Sequence, residues 1–242
     1  VTNPEAPTQA AQLTEEAHTV FTETRAGATY AYFGNLDGKT PVYDVTDPAQ
    51  PRRLGGFDAR ASYVHDLSVE NGIAYLNAWE KGLVVVDYTD PAKPKYVGSS
   101  GPTATRASHS NWTTRAGGRH IVLTGDESYG AHLDILEADA TSPAFLLPIS
   151  SYKTRDHVSI HNIMAFGTKA YVTYYQDGVR VLDVSDPARP KLVGHYNTWD
   201  PNAPTSTSAF FEGAVGLDVD LERKLVFVAD SPRGLLVLRD DT

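Results

Sequence analysis

One phrase recurs along the chain and constrains its fold more than any other feature. Each copy joins a β-rich run ending in an acid to an Asp-Pro or Ser-Pro turn and then to a second short β-rich run. Clear copies begin at Asp44, Asp87 and Asp183, and a degenerate copy begins at Glu137. Pro48 and Pro91, at matching places of two copies, are 43 residues apart. Repeats of about 40–50 residues are typical of stacked or radial arrays.

The second repeat unit shows how one copy is built. It contains four short β-rich runs: His65–Glu70, Ile73–Asn77, Leu83–Tyr88 and Lys95–Ser99. Turn-forming residues such as Asn71-Gly72 separate the runs, and no helical periodicity interrupts them. Four antiparallel strands per unit are typical of a propeller blade. The sequence therefore predicts an all-β fold, a five-bladed β-propeller with four antiparallel strands per blade.

The two ends of the chain predict how the ring closes. Blades are expected to start near residues 18, 65, 109, 161 and 216. The segment Val1–Pro7 copies the middle of the repeat, whereas Gly234–Leu238 copies the strand that precedes it. Residues 1–13 are therefore expected to supply the missing strand of the last blade, which removes a free sheet edge and makes residues 1–242 one domain. The alternative is a fragment of a longer array.

Composition excludes several classes of function. The chain has no cysteine, which excludes disulfides, thiolate metal sites and Cys nucleophiles. Its 21 Lys and Arg against 30 Asp and Glu give a net charge of −9, so we expect no nucleic-acid partner. No apolar run approaches the roughly 18 residues of a membrane span.

Histidine recurs at the start of the first strand of the blades. When the blades are aligned on their second strands, four of the five equivalent positions are histidine and the fifth is Gly216. The four candidate metal ligands are His18, His65, His109 and His161. First strands line the axis of a propeller, so these imidazoles are predicted to converge on a divalent transition metal, with Gly216 leaving one side open. The alternative is one ancestral structural histidine copied by duplication.

The hairpins between second and third strands share the face of the propeller on which these first strands begin. Every one of them carries a carboxylate, and most such acids are expected only to form turns. Asp126 and Glu127 are singled out because they lie in the most divergent blade. Either is predicted to bind the metal, orient a ligand or act as a catalytic base toward bound water.

Loops that enter the first strands supply a second group of candidates. Arg60, Arg106 and Arg155 each precede a ring histidine and are candidates for binding an anionic ligand, with solvated surface arginines as the alternative. The fifth entering loop, residues 197–212, is long and polar but contains aromatic residues. We expect it to fold as a lid over the mouth, with Trp199 in the lid and Glu212 pointing inward.

Several segments carry a family resemblance. They include the Gly82–Pro91 phrase, His109-Ser110-Asn111-Trp112 with Asp126-Glu127 downstream, Ile160-His161-Asn162, and Phe211-Glu212-Gly213-Ala214. With them the chain resembles the LVIVD-repeat β-propellers, and more closely the choice-of-anchor B proteins. The resemblance implies a secreted or surface-exposed protein, often tethered by a C-terminal anchor. The residues up to Thr242 hold no such anchor, so we expect extracellular or periplasmic placement rather than tethering.

Three functions from different classes compete. The first is an extracellular binding module that holds a divalent metal ion or a small-molecule or protein ligand at a His-lined channel mouth. The alternative is a metal-dependent hydrolase or oxidase that uses Glu127 or Asp126 as base. The third is a metal-free glycosidase, which needs two facing carboxylates at roughly 5–9.5 Å. Zinc, iron, manganese and copper all suit several imidazoles plus a carboxylate.

Overall fold

Nearly every β-rich run of the sequence, with its alternating apolar residues, forms a strand in the structure. A computed structural model describes residues 3–202 and 211–242, and these ranges contain nineteen strands and no helix. Within each of the five sheets, strands that follow one another in sequence pair antiparallel, so the sheets are a series of up-and-down blades. The all-β propeller with five blades, predicted from the repeat, is confirmed. No helix in the described ranges is long and apolar enough to cross a membrane.

The five blades follow one another along the chain. Blade one contains β1 (Ala17–Arg25), β2 (Ala28–Asn35), β3 (Lys39–Asp44) and β4 (Arg52–Asp58). Blade two contains β5 (Asp66–Glu70), β6 (Ile73–Asn77), β7 (Leu83–Asp87) and β8 (Lys95–Ser99). Blade three contains β9 (Ser108–Ala116), β10 (Arg119–Asp126), β11 (Leu133–Glu137) and β12 (Pro148–Tyr152). Blade four contains β13 (Ile163–Phe166), β14 (Lys169–Thr173), β15 (Val179–Asp183) and β16 (Lys191–Tyr196), and blade five contains β17 (Ala214–Asp220), β18 (Leu225–Asp230) and β19 (Gly234–Arg239).

The turn between β5 and β6 shows how local sequence sets the hairpins. Asn71 and Gly72 have φ angles of 52° and 79°, the left-handed values that a two-residue type I′ hairpin turn requires. Asn tolerates this region better than most residues, and Gly has no Cβ to obstruct it. The sequence-predicted turn is therefore present, and it fixes which side chains of β5 and β6 face each other.

Blades pack face to face through the apolar side chains of their strands. Leu67 and Val69 of β5 pack against Tyr32 and Val42 of blade one, and all four are buried. Burying one such side chain stabilises the fold by about 1.5–3 kcal/mol, so each interblade contact contributes substantially. The first strands of successive blades contact one another and therefore form the innermost layer of the ring.

A β-bulge marks the beginning of the first strand in three blades. The regular pairing of first and second strands skips His18 in blade one, His109 in blade three and Val215 in blade five. A bulge adds one residue to a strand and redirects its side chain. The fifth ring position is therefore Val215 rather than Gly216, because the extra residue shifts the alignment by one.

The predicted closure of the ring by residues 1–13 is wrong for the part that the structure describes. Residues 3–16 contain no strand, and the fifth sheet has three strands, β17 to β19, instead of four. The segment is held beside blade one instead, where Glu15 accepts hydrogen bonds from Tyr43 (2.6 Å) and Asn35 (3.0 Å). Residues 1 and 2 lie outside the described ranges.

Charge pairing gives a physical reason for the missing strand. In blades one, two and four an Asp at the end of the third strand lies opposite Arg or Lys at the start of the fourth, as Asp44 lies opposite Arg52. Opposite charges at directly paired positions stabilise a sheet. Blade five has Arg239 in place of that Asp, and the N-terminal copy of the phrase has Thr8 in place of the basic residue. The cross-strand ion pair cannot form.

A buried polar network beneath the bulge of blade three joins it to blade two. The Asn77 amide donates to Ser108 Oγ (3.0 Å), to the Ser110 carbonyl (3.2 Å) and to Thr124 Oγ1 (3.2 Å). The Asn111 amide in turn donates to the side-chain oxygen of Asn77. Asn77 is fully buried, so its substitution leaves several polar groups without partners.

Replacing Asn77 with Ala should lower the free energy of unfolding by about 3 kcal/mol, because each buried group left unpaired costs about 1–3 kcal/mol. Urea unfolding followed by tryptophan fluorescence measures this change. Gln50→Ala, at an exposed turn position, is the control and should have little effect. An Asn77→Ala variant as stable as the wild type would show that the network does not hold the two blades together.

Candidate metal centre at the propeller axis

The four ring histidines form one continuous row at the centre of the propeller. Ring centroids are separated by 4.1 Å from His18 to His65, by 4.0 Å from His65 to His109 and by 4.3 Å from His109 to His161. The convergence predicted from the repeat is therefore present in the structure. It arises because equivalent positions of successive blades lie at equal heights around one axis.

Glu127 extends from the hairpin between β10 and β11 into this row. Its Oε2 lies 4.0 Å from Nε2 of His65 and 3.7 Å from Nε2 of His109. Its Oε1 lies 3.7 Å from Nε2 of His161. Three imidazole nitrogens from three blades thus face one carboxylate. Asp126, its neighbour in sequence, does not belong to this group.

Backbone carbonyls of the next blade determine which ring nitrogen carries the proton. Nδ1 of His109 lies 3.2 Å from the carbonyl oxygen of His161, and Nδ1 of His161 lies 3.0 Å from that of Val215. A carbonyl oxygen only accepts, so both Nδ1 atoms are assigned as the N–H donors. Nε2 of each ring then carries a lone pair, and this lone pair faces Glu127.

Burial keeps these imidazoles neutral. It lowers the pKa of His65 to about 3 and holds the pKa of His109 well below its usual value, and the neighbouring histidines add to both shifts. Burial also lowers the pKa of His161, although the nearby Glu127 carboxylate opposes that change. The site therefore combines neutral nitrogen donors with a carboxylate, which is the donor set that a transition metal requires.

The arrangement of these groups contains an electrostatic conflict that a cation would remove. The Nε2 lone pairs of His109 and His161 face carboxylate oxygens at 3.7 Å, too far for a hydrogen bond. Nε2 of His109 is buried and has no hydrogen-bond partner among the described residues. Buried polar atoms without a partner are rare and call for an explanation.

The spacing of the donor atoms fits a metal ion after a small contraction. Ligand atoms of His65, His109 and Glu127 all lie within 4.8 Å of one another. Metal–nitrogen and metal–oxygen bonds of about 2.0–2.2 Å place tetrahedral donors about 3.3–3.6 Å apart. These three donors would have to approach one another by up to about 1 Å to reach this spacing. His161 is not in that group, but its Nε2 lies 3.7 Å from Glu127 Oε1, which makes it the candidate for a third imidazole of a His–His–His–Glu centre.

Aromatic side chains surround the centre on two sides. Trp79 stacks on His65 at 5.4 Å between ring centroids, and Tyr63 packs on both. On the other side the Tyr175 hydroxyl donates to Glu127, and its ring contacts His161 at 5.1 Å. These contacts restrict the rotamers of His65, His161 and Glu127. Residues that touch metal ligands but not the metal orient the ligands in this way.

Trp79 and Tyr175 occupy equivalent places in blades two and four. Each forms an isolated β-bridge to the residue that begins the next blade's first strand, and each has a positive φ, 28° and 36°. Positive φ is unusual for bulky residues and marks a backbone held by its surroundings. Sequence reasoning missed both residues. Their position in the hairpins that share the face of the ring histidines was the available signal.

The structure places the other proposed ligands at the edge of the centre. His18 is exposed and contacts His65 and Tyr63 rather than Glu127. The Asp126 carboxylate accepts a hydrogen bond from Thr105. It also lies close enough to Asp134 to assist burial in raising the pKa of that residue to about 6. The catalytic roles assigned to Asp126 and Glu127 stay predictions.

Most hairpin carboxylates have local partners, as expected for turn formers. Asp37 accepts from the backbone N–H of Lys39, and Glu80 accepts from Ser62. Asp177 pairs with Arg155 at 2.6 Å. These contacts hold turns and adjacent loops together, and they do not provide the facing pair of acids that a glycosidase needs.

The three arginines do not converge on the ring histidines. Arg155 pairs with Asp177, whereas Arg60 and Arg106 are exposed loop residues with φ angles of 53° and 55°. Arg60 borders a groove of about 550 Å³ between blades one and two. A shared anion-binding role for the three side chains remains a prediction.

The ends of the long loop before blade five are joined to each other. Trp199 Nε1 donates to the buried Glu212 carboxylate at 2.9 Å. Phe211 packs on Tyr175 at 5.3 Å, which brings the end of the loop next to the residue that binds Glu127. Residues 203–210, the middle of the predicted lid, lie outside the described ranges, so the lid stays a prediction.

Sequence comparison identifies the repeat. Residues 61–100 and 160–198, which cover blades two and four, match the LVIVD repeat. Because the structure stacks these copies with three further blades, both observations lead to one conclusion. The chain is a repeat β-propeller. No curated protein matches the propeller significantly in sequence.

Solved structures resemble the propeller in fold alone. The computationally designed Ika8 protein matches at 12% identity and a TM-score of 0.58, over 90% of this chain and 57% of Ika8. BamB from Moraxella catarrhalis matches at 14% identity and a TM-score of 0.57, over 91% of this chain and 57% of BamB. The designed Ika4 protein matches at 13% identity and 0.53, over 74% of this chain and 99% of Ika4. The propeller thus spans little more than half the length of Ika8 and BamB.

Proposed function

We propose that the propeller is an extracellular binding module that holds one divalent transition-metal ion at its axis. The observation that carries this proposal is the meeting of three imidazole nitrogens with Glu127 at 3.7–4.0 Å. His65, His109 and His161 would supply neutral nitrogen donors, and the Glu127 carboxylate would offset part of the ion's charge. Such an ion would bind an electron-rich atom of a ligand.

The order of the blades around the ring leaves one side of the centre open. The proposed ligands come from blades two, three and four, whereas blades one and five contribute His18 and Val215 to the ring. Val215 has no donor atom in its side chain, and His18 does not contact Glu127. A small molecule or an exposed carboxylate of a protein would therefore reach the ion from the side of blades one and five. A catalytic or ligand-binding metal needs such an open position.

Extracellular placement forms part of the proposal. It is supported by the resemblance of the sequence to the choice-of-anchor B proteins, which implies secretion or surface exposure. The absence of cysteine is compatible with this placement, because the fold relies on interblade packing rather than on disulfides. Fractionation of cells of the source organism with an antibody to the propeller tests the location directly.

Metal analysis tests the proposed centre. We expect purified wild-type protein, dialysed against micromolar Zn²⁺ without chelator, to retain one ion per chain. His109→Ala should lower the Zn²⁺ affinity by more than about 100-fold, because losing a ligand exceeds the roughly 10- to 100-fold effect of losing an outer-shell partner. His195→Ala removes an exposed histidine of β16 and is the matched control, which should retain the ion.

Two results would overturn the proposal. If wild-type protein retains no stoichiometric Zn²⁺, Mn²⁺, Fe²⁺ or Cu²⁺, the histidines serve only packing and hydrogen bonding. If His109→Ala and His195→Ala bind the ion equally well, the ion lies elsewhere. Circular dichroism and urea unfolding of both variants show whether a lost ion reflects a lost ligand or a lost fold.

A further inference from the structure

One position of the third strands faces the preceding blade and carries different kinds of residue around the ring. It is Val84 in β7, which packs on blade one, and Leu236 in β19, which packs on blade four. Asp134 and Arg180 are the second residues of β11 and β15, as Val84 is of β7. Blades three and four therefore have a charged side chain where an apolar one packs between blades elsewhere.

The two charged residues differ in their partners. Arg180 donates to the carbonyl oxygens of Asp177 and Val179, and the Asp177 carboxylate lies close enough to stabilise its charge. The Asp134 carboxylate has neither a hydrogen bond nor a nearby cation among the described residues, and the charge that acts on it is a second acid, Asp126. Burial, assisted by Asp126, raises the pKa of Asp134 to about 6. At neutral pH Asp134 is therefore mostly ionised and has no countercharge.

A cavity of about 300 Å³ lies beside this carboxylate, between blades two and three. Asp134 is an exposed residue of its lining. The hydroxyls of Ser108 and Thr124, also in the lining, already accept hydrogen bonds from Asn77. The apolar part of the lining is Leu83, Pro102, Leu136, Leu146 and Pro148. The cavity thus combines an apolar wall with an unpaired carboxylate, at the lower end of the roughly 300–1,000 Å³ of small-molecule sites.

We propose that this cavity binds a small organic cation, whose ammonium group pairs with Asp134 and whose apolar part packs on Leu136 and Leu146. Charge complementarity favours this class of ligand. An anion would be repelled by the carboxylate, and an uncharged molecule would leave it without a countercharge. An ammonium group donates charge-assisted hydrogen bonds to a carboxylate, which are about twice as strong as hydrogen bonds between neutral groups.

A metal ion fits this cavity less well than an organic cation does. Hard cations take several oxygen ligands. Among the described residues Asp134 belongs to no group of three His, Asp or Glu side chains with ligand atoms close together. The cavity is also independent of the centre at the propeller axis, because none of its lining residues is a proposed metal ligand.

NMR titration of isotope-labelled protein with benzylamine tests the site. The titration is done at pH 7.5, where Asp134 and the amine are both charged, and in chelator, so that the amine cannot bind an ion at the axis. We expect saturable shifts of the residues that line the cavity. Asp134→Asn should weaken binding by at least about 10-fold, because it removes a charge-assisted hydrogen bond. Asp47→Asn removes the same charge from an exposed turn of blade one and is the matched control, which should bind as the wild type does.

Two further measurements separate charge recognition from apolar packing. Benzyl alcohol has the same apolar part without the charge and should bind at least about 10-fold more weakly than benzylamine. Asp134→Val, which copies blade two, should lose benzylamine binding and raise the urea midpoint, because it removes an unpaired carboxylate from an interblade face. The proposal is overturned if wild-type protein shows no saturable shifts around the cavity, if Asp134→Asn binds benzylamine as tightly as the wild type, or if benzyl alcohol binds equally well.

Discussion

Replacing Glu127 with Gln should abolish tight metal binding and, in the same protein, raise the stability of the metal-free fold. The loss of binding follows because the substitution removes the charged donor that faces the three imidazoles. We expect the Zn²⁺ affinity to fall by more than about 100-fold, beyond the roughly 10- to 100-fold effect of an outer-shell change. Isothermal titration with Zn²⁺ measures this change.

The gain in stability follows from the lone pairs in the metal-free site. In the wild type, Glu127 oxygens face Nε2 atoms that carry lone pairs, and no hydrogen bond joins them. The amide of Gln can donate to one of these nitrogens, and a hydrogen bond of this kind contributes about 0.5–1.5 kcal/mol. Urea unfolding in the presence of a chelator should therefore give a higher midpoint for Glu127→Gln than for the wild type.

Glu80→Gln is the matched control for both measurements. Glu80 belongs to the equivalent hairpin of blade two, but its carboxylate accepts hydrogen bonds from Ser62 instead of facing the histidines. This variant should keep the wild-type affinity for Zn²⁺ and should gain no stability. If Glu127→Gln binds Zn²⁺ as tightly as the wild type does, the carboxylate is not a ligand.

A substitution that weakens metal binding but stabilises the metal-free fold is characteristic of a site built for a ligand. The close approach of a carboxylate to the lone pairs of His109 and His161 is unfavourable unless a cation lies between them. The remainder of the fold must offset this cost, and the interblade contacts provide the stabilisation. A structural cluster that evolved only for packing would contain donors opposite acceptors, as the Asn77 network does.

The repeat phrase predicted most of the fold because it reports both strand order and spacing. A phrase such as Gly82–Pro91 contains a turn, a strand and the next turn, so its recurrence implies one blade per copy. The converging histidines followed from the same symmetry, since equivalent positions lie at one height around the axis. The position of Glu127 beside the histidines could also be predicted, because hairpins on the face where the first strands begin approach the ring.

Three features could not be predicted from strand patterns. The bulge that places Val215 in the ring adds one residue, which alternation of polar and apolar residues does not show. Residues 3–13 do not complete blade five, and the only sequence sign of this is the charge pattern at Arg239 and Thr8, which breaks the cross-strand pairing of the other copies. The positive φ of Trp79 and Tyr175 depends on tertiary contacts, because neither residue type favours it.

Acid should destabilise the metal-free propeller more steeply than it destabilises most folds, beginning at about pH 6.5. An unfolded histidine has a pKa of about 6.5. In the folded protein burial lowers the pKa of His65 to about 3, and it lowers the pKa of His109 and His161 as well. Below pH 6.5 the unfolded chain therefore binds protons that the folded chain does not bind. Stability falls as the pH falls, by up to about 1.4 kcal/mol per pH unit for each such histidine.

Two carboxyl groups oppose this trend at lower pH. Burial raises the pKa of Asp66 to about 6, and burial together with Asp126 raises the pKa of Asp134 to about 6. Between pH 6 and about pH 4 the folded chain binds protons at these groups before the unfolded chain does, so they make unfolding less favourable as the pH falls. The net loss of stability below pH 6.5 should therefore be smaller than the three histidines alone would cause.

Urea midpoints measured from pH 7.5 to 4.5 in chelator test this profile. Removing one buried imidazole with His109→Gln should clearly lower the slope below pH 6.5, because the unfolded chain then takes up one proton fewer. His195→Gln, on the exposed strand β16, is the control and should leave the slope unchanged. A wild-type midpoint that stays constant from pH 7 to 5 would show that the ring histidines titrate in the folded protein.

The low pKa of the buried histidines also predicts how Zn²⁺ binding should depend on pH. Most histidine sites release their ion as the pH falls through 6.5, because protons and metal compete for the same nitrogens. Here His65 stays neutral to about pH 3, so protons should not displace the ion from it between pH 7 and 5. Zn²⁺ at about 100 times its dissociation constant stabilises the folded state by about 2.7 kcal/mol. We therefore expect this stabilisation to be nearly the same at pH 5.5 as at pH 7, although the metal-free protein is much less stable at the lower pH. A stabilisation that disappears by pH 5.5 would contradict the assignment of neutral, pre-formed ligands.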